Sequence, residues 1–138
     1  MAVDVALSTN SPVATLALKQ VQPIPGDRHL AAFLVVRSGT FAAALPFIFE
    51  RTAGDQFVDA IETLRHAEGG EARLGSVNGP DYIMMRSIDD DGLRIAGELH
   101  DPEDDAQHLA FGFVAQWAGM EPFVTGLRAA LGLVKRRP

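Results

Sequence analysis

Two histidines around an acidic loop are the part of the sequence with the clearest potential for chemistry. His100 and His108 flank segment 101–107, which carries four carboxylates and no Lys or Arg. Hard cations bind where several oxygens converge, and a hairpin would bring the two histidines together. The spacing fits neither an EF-hand loop nor a zinc pattern. We therefore interpret the segment as a solvated hairpin loop and expect no metal and no cofactor.

A second group of carboxylates could serve as a paired acid and base. Asp89, Asp90 and Asp91 precede Gly92, and Asp-Gly is a preferred hairpin turn, which accounts for the run without catalysis. Catalytic carboxylates need burial that a hairpin tip does not offer. The chain has no cysteine, no G-x-S-x-G elbow and no glycine-rich loop that precedes a helix. We therefore expect a protein that is not an enzyme and has no catalytic or cofactor-binding residues.

Length and charge restrict the class of protein further. The chain has 138 residues and a formal net charge of −6, and its one basic cluster is Lys135, Arg136 and Arg137. Phosphate recognition needs clustered Lys and Arg, and a spanning helix needs an apolar run of roughly 18 residues that the chain lacks. No charged region precedes an early apolar run, as a secretory signal would require. These features predict a single soluble domain over residues 1–138, cytoplasmic, with neither a nucleic acid nor a membrane as its partner.

The elements around the two histidines form a sheet in this interpretation. Apolar residues fall at every second position of segment 81–117 and turn formers separate the runs, which predicts three consecutive antiparallel strands. One face of such a sheet is usually buried and the other open. The predicted buried rows are Leu93, Ile95, Gly97 and Leu99, and Leu109, Phe111, Phe113, Ala115 and Trp117. The predicted open rows are Arg94, Ala96, Glu98 and His100, and His108, Ala110, Gly112, Val114 and Gln116.

The rest of the chain completes an α+β domain. Residues 29–50 read as a hairpin whose second strand contains Pro46, which indicates an edge strand or a bulge because proline cannot donate to a ladder. Helical spacing predicts one helix over residues 52–67 and a second that opens at Pro122. Residues 1–28 are predicted as an edge strand and a loop, and no internal repeat is visible. The predicted fold is a curved antiparallel sheet of about six or seven strands with two helices packed on one face, in the order β-β-β-α-β-β-β-β-α.

Six segments in this order carry a family resemblance. They are FAAALPFIFE, FVDAIETL, GEARLGS, GLRIAGELHD, HLAFGFVAQW and EPFVTGLRAALG, and they cover roughly residues 33–132. Their element order and apolar pattern resemble small bacterial proteins of largely unassigned function that include the WapI-type immunity proteins of contact-dependent toxin systems. Such proteins commonly end the last strand with an Asp-Gln-Thr-like triplet, whereas this chain has Ala115, Gln116 and Trp117. No catalytic residue is carried over.

The resemblance implies a non-catalytic protein that binds another protein, with neutralisation of a cognate toxin as its role. The acidic net charge would suit a basic toxin. The predicted partner-binding residues lie on the open sheet face and are Arg94, Glu98, His100, His108 and Gln116. One alternative is a small hydrophobic-ligand domain with a pocket between sheet and helices, lined by Phe41, Phe47, Phe111, Phe113 and Trp117. A third alternative is a homodimer formed through an edge strand or the open face.

Overall fold

Eight strands and two helices make up the computed structural model, which describes residues 2–7, 9, 14–66, 70–77, 79–89, 91–101, 103–104 and 106–132. The first four strands are β1 (Val3–Ala6), β2 (Ala14–Pro23), β3 (His29–Ser38) and β4 (Phe41–Glu50), and helix α1 (Arg51–His66) follows them. The next four are β5 (Ala72–Gly75), β6 (Tyr82–Ser87), β7 (Gly92–His100) and β8 (His108–Gln116). A 3-10 turn (Trp117–Met120) and helix α2 (Glu121–Leu131) complete the order.

The strands form two antiparallel sheets of four, in the orders β1-β2-β3-β4 and β5-β6-β7-β8. We call them the first and the second sheet. The predicted α+β class with antiparallel strands and two helices is confirmed, but the strands are eight, and they divide between two sheets instead of sharing one. The predicted edge strand and loop over residues 1–28 contain two strands, β1 and β2, which add to β3. The division follows from α1, because the chain enters this helix directly from β4 and the ladder does not continue into β5.

One apolar core lies between the elements. Period-two alternation buries Leu45, Phe47 and Phe49 of β4, and the predicted buried rows of β7 and β8 are buried in the structure except for half-buried Leu109. The helices add their apolar stripes to this core. From α1 these are Phe57, Val58, Ile61 and Leu64, and from α2 they are Phe123, Leu127, Ala130 and Leu131. The core therefore draws on both sheets and both helices.

Each helix packs mainly against the first strand of the sheet that it does not follow in the chain. Helix α1 follows the first sheet and contacts β5, whereas α2 follows the second sheet and contacts β1. The two helices also meet, and the rings of Phe57 and Phe123 pack edge to face with centroids 6.3 Å apart. None of the helices described for this chain is long and apolar enough to cross a membrane.

Candidate partner-binding face and edge groove

The outward side of the second sheet carries all five predicted partner-binding residues, and we call it the open face. Its residues are Arg73, Tyr82, Met84, Arg86, Arg94, Ala96, Glu98, His100, His108, Ala110, Gly112, Val114 and Gln116. Arg94, His108 and Gln116 are exposed, and Glu98 and His100 are half-buried. The register places His100 opposite His108 and Glu98 opposite Ala110. The five residues therefore share one face of two paired strands, as the alternation predicts.

The two histidines form a stacked pair at one end of this face. Their ring centroids are 5.4 Å apart and the ring planes differ by 19°. His100 is held by Asp81, whose Oδ1 accepts the backbone N–H of His100 at 2.8 Å and lies 2.9 Å from its Nδ1. Asp81 lies just before β6, and no spacing in the sequence links it to His100. The contact fixes the ring of His100 and leaves His108 exposed at the rim.

Strands β5 and β6 add residues to the open face that the sequence analysis did not assign to it. The guanidinium carbon of Arg73 lies 3.8 Å from the ring centroid of Tyr82, and Arg86 Nη2 lies 3.2 Å from Glu71 Oε2. Met84 is half-buried between them on the same side. The period-two alternation of β6 would have predicted that Tyr82, Met84 and Arg86 share this face. The placement of Arg73 on this face follows only from the pairing of β5 with β6, in which Arg73 lies opposite Met84.

Small residues make the centre of the open face flat. Ala96 pairs with Gly112, and Ala110 lies two positions before Gly112 on β8. The guanidinium of Arg94 covers Gly112, since a Cβ on that glycine would lie 2.5 Å from Arg94 Nη2. Beside this floor Val114 is 59% exposed. The face thus offers arginines, a tyrosine, a methionine and an exposed valine around a floor of small residues.

A groove of about 390 Å³ lies next to the histidine pair, between the first half of β4 and the end of the β7–β8 hairpin. We call it the edge groove. Its lining residues are Phe41, Ala42, Ala43, Ala44, Leu45, Leu99, His100, Asp101, Gln107, His108 and Leu109. Pro46 predicted that β4 lies at an edge, and this is confirmed. The groove itself depends on how the two sheets meet, which the sequence did not reveal.

The five residues of the predicted ligand pocket are dispersed. Phe47 is fully buried, and Phe111, Phe113 and Trp117 are nearly so, whereas Phe41 is 65% exposed and lines the edge groove. Trp117 lines a different cavity of about 80 Å³ beside α1 and α2. Ligand sites usually measure some 300–1,000 Å³. The described geometry does not gather these aromatic residues around one cavity, and ligand binding stays a prediction.

Titratable groups are confined to the surface throughout the described ranges. No polar or charged residue among them is buried, and no three His, Asp or Glu side chains are arranged to hold a metal ion. A hydrogen bond from His29 lowers the pKa of Asp27, and one to Glu62 raises the pKa of Arg128. Both sites lie outside the open face and the edge groove. Asp90, Asp105 and the basic cluster at 135–137 fall outside the described residues.

Comparison of this chain with protein-family models, with curated proteins and with solved structures gave no match.

Proposed function

We propose that this protein is a non-catalytic module that binds another protein through the open face. The observation that supports the proposal is the chemistry of that face: Val114 is 59% exposed among arginines, a tyrosine and a methionine on a floor of small residues. Arg, Tyr and Met are enriched at protein interfaces, and a flat floor of small residues suits a macromolecule better than a small ligand. We therefore assign contact with the partner to the five predicted residues together with Val114.

The charge of the open face differs from that of the whole chain. The net charge is −6. The residues of the face nevertheless include three arginines, Arg73, Arg86 and Arg94, and a single carboxylate, that of Glu98. Acidic groups lie elsewhere, for example on α1 and in loop 101–107. The acidic net charge would therefore attract a basic partner at a distance, whereas the arginines of the face require acidic, carbonyl or aromatic groups on the part of the partner that covers them.

A more specific form of this proposal is an immunity-type role in the bacterial cytoplasm, in which the partner protein is a cognate toxin. Its support is the likeness of element order and apolar pattern to WapI-type immunity proteins. Neutralisation needs only that the face covers a functional surface of the toxin, so it requires no catalytic group in this chain. A homodimer formed through the same face is the competing assembly, and it would compete with the toxin for Val114.

Affinity capture from a lysate of the native cell with two matched variants tests the proposal. Val114→Glu buries a charge in the proposed interface and should weaken capture of a stoichiometric partner at least about tenfold. Phe33→Glu is the control, because Phe33 is 48% exposed on the outward side of the first sheet. Circular dichroism melting confirms that both variants fold. Equal capture by Val114→Glu and the unaltered chain would contradict the proposal.

The toxin assignment has its own readout. The captured partner is purified, and its toxicity is measured with and without the protein. Inhibition of the toxin that is lost in Val114→Glu supports the immunity role. A partner that is not toxic would contradict the immunity role but not the proposed binding of a protein. Light scattering of the protein alone reports a dimer, and a dimer that Val114→Glu dissociates would assign the face to self-association instead.

A further inference from the structure

The outer edge of β4 borders the edge groove and has backbone groups available for pairing. β4 is the last strand of the first sheet, so among the strands of the described residues none pairs with its outer side. The backbone N–H of Arg51 donates to the carbonyl of Arg28 just beyond the ends of β4 and β3, and this bond continues the register of the β3–β4 ladder at a hydrogen-bonded position. Bonded and non-bonded pairs alternate in an antiparallel ladder. Residues 42, 44, 46 and 48 therefore direct their backbone groups away from β3.

Two of these four positions, 46 and 48, each have one backbone group fewer to offer to a further strand. The carbonyl of Ile48 accepts the N–H of Val77 at 2.9 Å, which agrees with the outward direction. Pro46 has no N–H, and it is tolerated here because no ladder bond to β3 is lost. Ala42 and Ala44 remain, each with one N–H and one C=O, and within the described chain neither has a backbone bond outside its own sheet. At Ala42 and Ala44 the edge thus presents two N–H and two C=O groups, spaced so that they could pair with a strand added next to β4.

The opposite wall of the groove indicates what kind of strand would fit. Asp101 lines it, and Glu103 and Asp104 are exposed in the adjoining loop, while no Lys or Arg is among the lining residues. Phe41 is 65% exposed at the β4 end of the same groove. An added strand has side chains on alternating sides. A strand with an apolar residue beside Phe41 and a basic residue near Asp101 would complement both walls.

We propose that the edge groove binds an extended, basic segment of a partner protein, which adds to the first sheet as a fifth strand next to β4. Main-chain bonds to Ala42 and Ala44 would supply affinity, and the acidic wall would select Lys or Arg. Exposed strand edges are templates for such pairing. The groove volume of about 390 Å³ lies within the usual range for ligand sites. This surface shares His100 and His108 with the open face, but Ala42, Ala44 and Asp101 belong to the groove alone, so variants at these three positions test the inference separately from the proposed function.

A labelled peptide tests strand addition directly. The probe is fluorescein-Thr-Val-Lys-Val-Arg-Val-Thr-amide, and its binding to the full chain is followed by fluorescence anisotropy. Two further peptides carry N-methyl groups on alternate amides, one on each of the two sets. Because only one edge of the peptide would face β4, we expect one set to abolish binding and the other to change it by no more than about threefold. Equal effects of the two sets would overturn the proposal.

Variants of the groove provide a second, independent test. Ala44→Pro removes one outward N–H without a loss of any bond to β3, and we expect it to weaken peptide binding at least about fivefold. Ala44→Val is the matched control, since it retains the N–H. Asp101→Asn keeps the oxygen that accepts the N–H of Glu103 at 2.9 Å and removes the charge. It should weaken the basic peptide about threefold and leave a peptide with Gln in place of Lys and Arg unchanged.

Other occupants and other surfaces give different outcomes. If β4 pairs with β4 of a second copy, light scattering shows a dimer that the peptide does not dissociate, and the proposal is overturned. A chain that ends at Gly132 excludes competition by the basic residues 135–137 and should bind the peptide at least as tightly. Val114→Glu should bind the peptide unchanged, because it alters only the open face. Loss of peptide binding in Val114→Glu with retention in Ala44→Pro would assign the peptide to the open face instead.

Discussion

The two halves of the chain have the same element order but expose different surfaces. Four antiparallel strands and a helix make up each half, β1–β4 with α1 and β5–β8 with α2. The outward side of β3 and β4 is mostly apolar, with Phe33 paired with Pro46 and Val35 with Ala44. The outward side of the second sheet carries arginines, histidines and Tyr82 instead. A shared order of elements therefore positions the backbone, and the outward side chains decide which face can recognise a partner.

The hairpins that end the two sheets differ as well. β3 and β4 are joined by the two residues Gly39 and Thr40, whereas loop 101–107 joins β7 and β8. Gly39 has a φ of +66°, which suits the tight turn. The longer loop brings Asp101 to the edge groove. The side-chain hydroxyl of Ser38 donates to the carbonyl of Gly112 on β8 at 3.3 Å. The second half thus supplies the acidic wall, and the first half supplies the strand edge.

The largest expected effect tests whether the two halves unfold together. Phe57→Ala removes a fully buried ring of α1 that packs on Phe123 of α2, and we expect the free energy of unfolding to fall by about 3–5 kcal/mol. Because the core is shared, urea denaturation should remain a single transition by fluorescence and circular dichroism. Phe33→Ala is the control, with a loss below about 1 kcal/mol. Two separated transitions, with only one of them shifted, would show that the halves are independent.

A second prediction compares the two sides of the second sheet. A Cβ at Gly97 would lie 2.3 Å from the carbonyl oxygen of Tyr82 and 2.8 Å from the ring of Phe111. Gly97→Ala should therefore destabilise the protein by about 2–3 kcal/mol, because neither the backbone nor a buried ring can move away cheaply. Gly112→Ala meets only the flexible end of Arg94 and should cost less than about 1 kcal/mol. Thermal melting compares them, and equal costs would contradict the assigned orientation.

The third prediction uses the fact that each half has an Asp–His contact. In the second half Asp81, whose side chain is 12% exposed, accepts two hydrogen bonds from His100. Asp81→Ala should lower the free energy of unfolding by about 1–2 kcal/mol, since it leaves the buried side of His100 without its acceptor. The imidazole signals of His100 and His108 should shift in the NMR spectrum of this variant. An unchanged spectrum would mean that Asp81 does not orient the pair.

The smallest effect belongs to the contact in the first half. Asp27 Oδ1 lies 2.5 Å from His29 Nδ1 at the surface, and this hydrogen bond lowers the pKa of Asp27 below its usual 3.8. A carboxylate with a lowered pKa stabilises the fold above its unfolded pKa, and the contribution is lost as the pH falls through the folded pKa. Asp27→Asn should thus lower Tm at pH 6 by no more than about 2 °C, with the difference vanishing in acid once Asp27 is protonated in both the folded and the unfolded chain. A difference in Tm that grows as the pH falls would contradict the lowered pKa of Asp27.

Local sequence patterns were sufficient for much of the fold and for part of the site. The alternation in β7 and β8 placed Arg94, Glu98 and Gln116 on one face and brought His100 opposite His108. Pro46 correctly indicated an edge strand, since a proline without an N–H is excluded from a central ladder. These successes share a cause: a period of two depends only on neighbouring residues of the same strand or hairpin.

Other features depended on contacts between distant segments. Asp81 reaches His100 and Val77 reaches Ile48 across the fold, and neither spacing carries a signal in the sequence. The division into two sheets and the matching order of the halves were equally invisible, because the same backbone order is built from different side chains. By itself, the sequence determined the two helices, the strands from β3 onward and the buried sides of β4, β7 and β8. The tertiary structure alone decided that each helix packs on the opposite sheet and that an acidic hairpin faces the free edge of β4, since such arrangements follow from shared burial of the core and not from local periodicity.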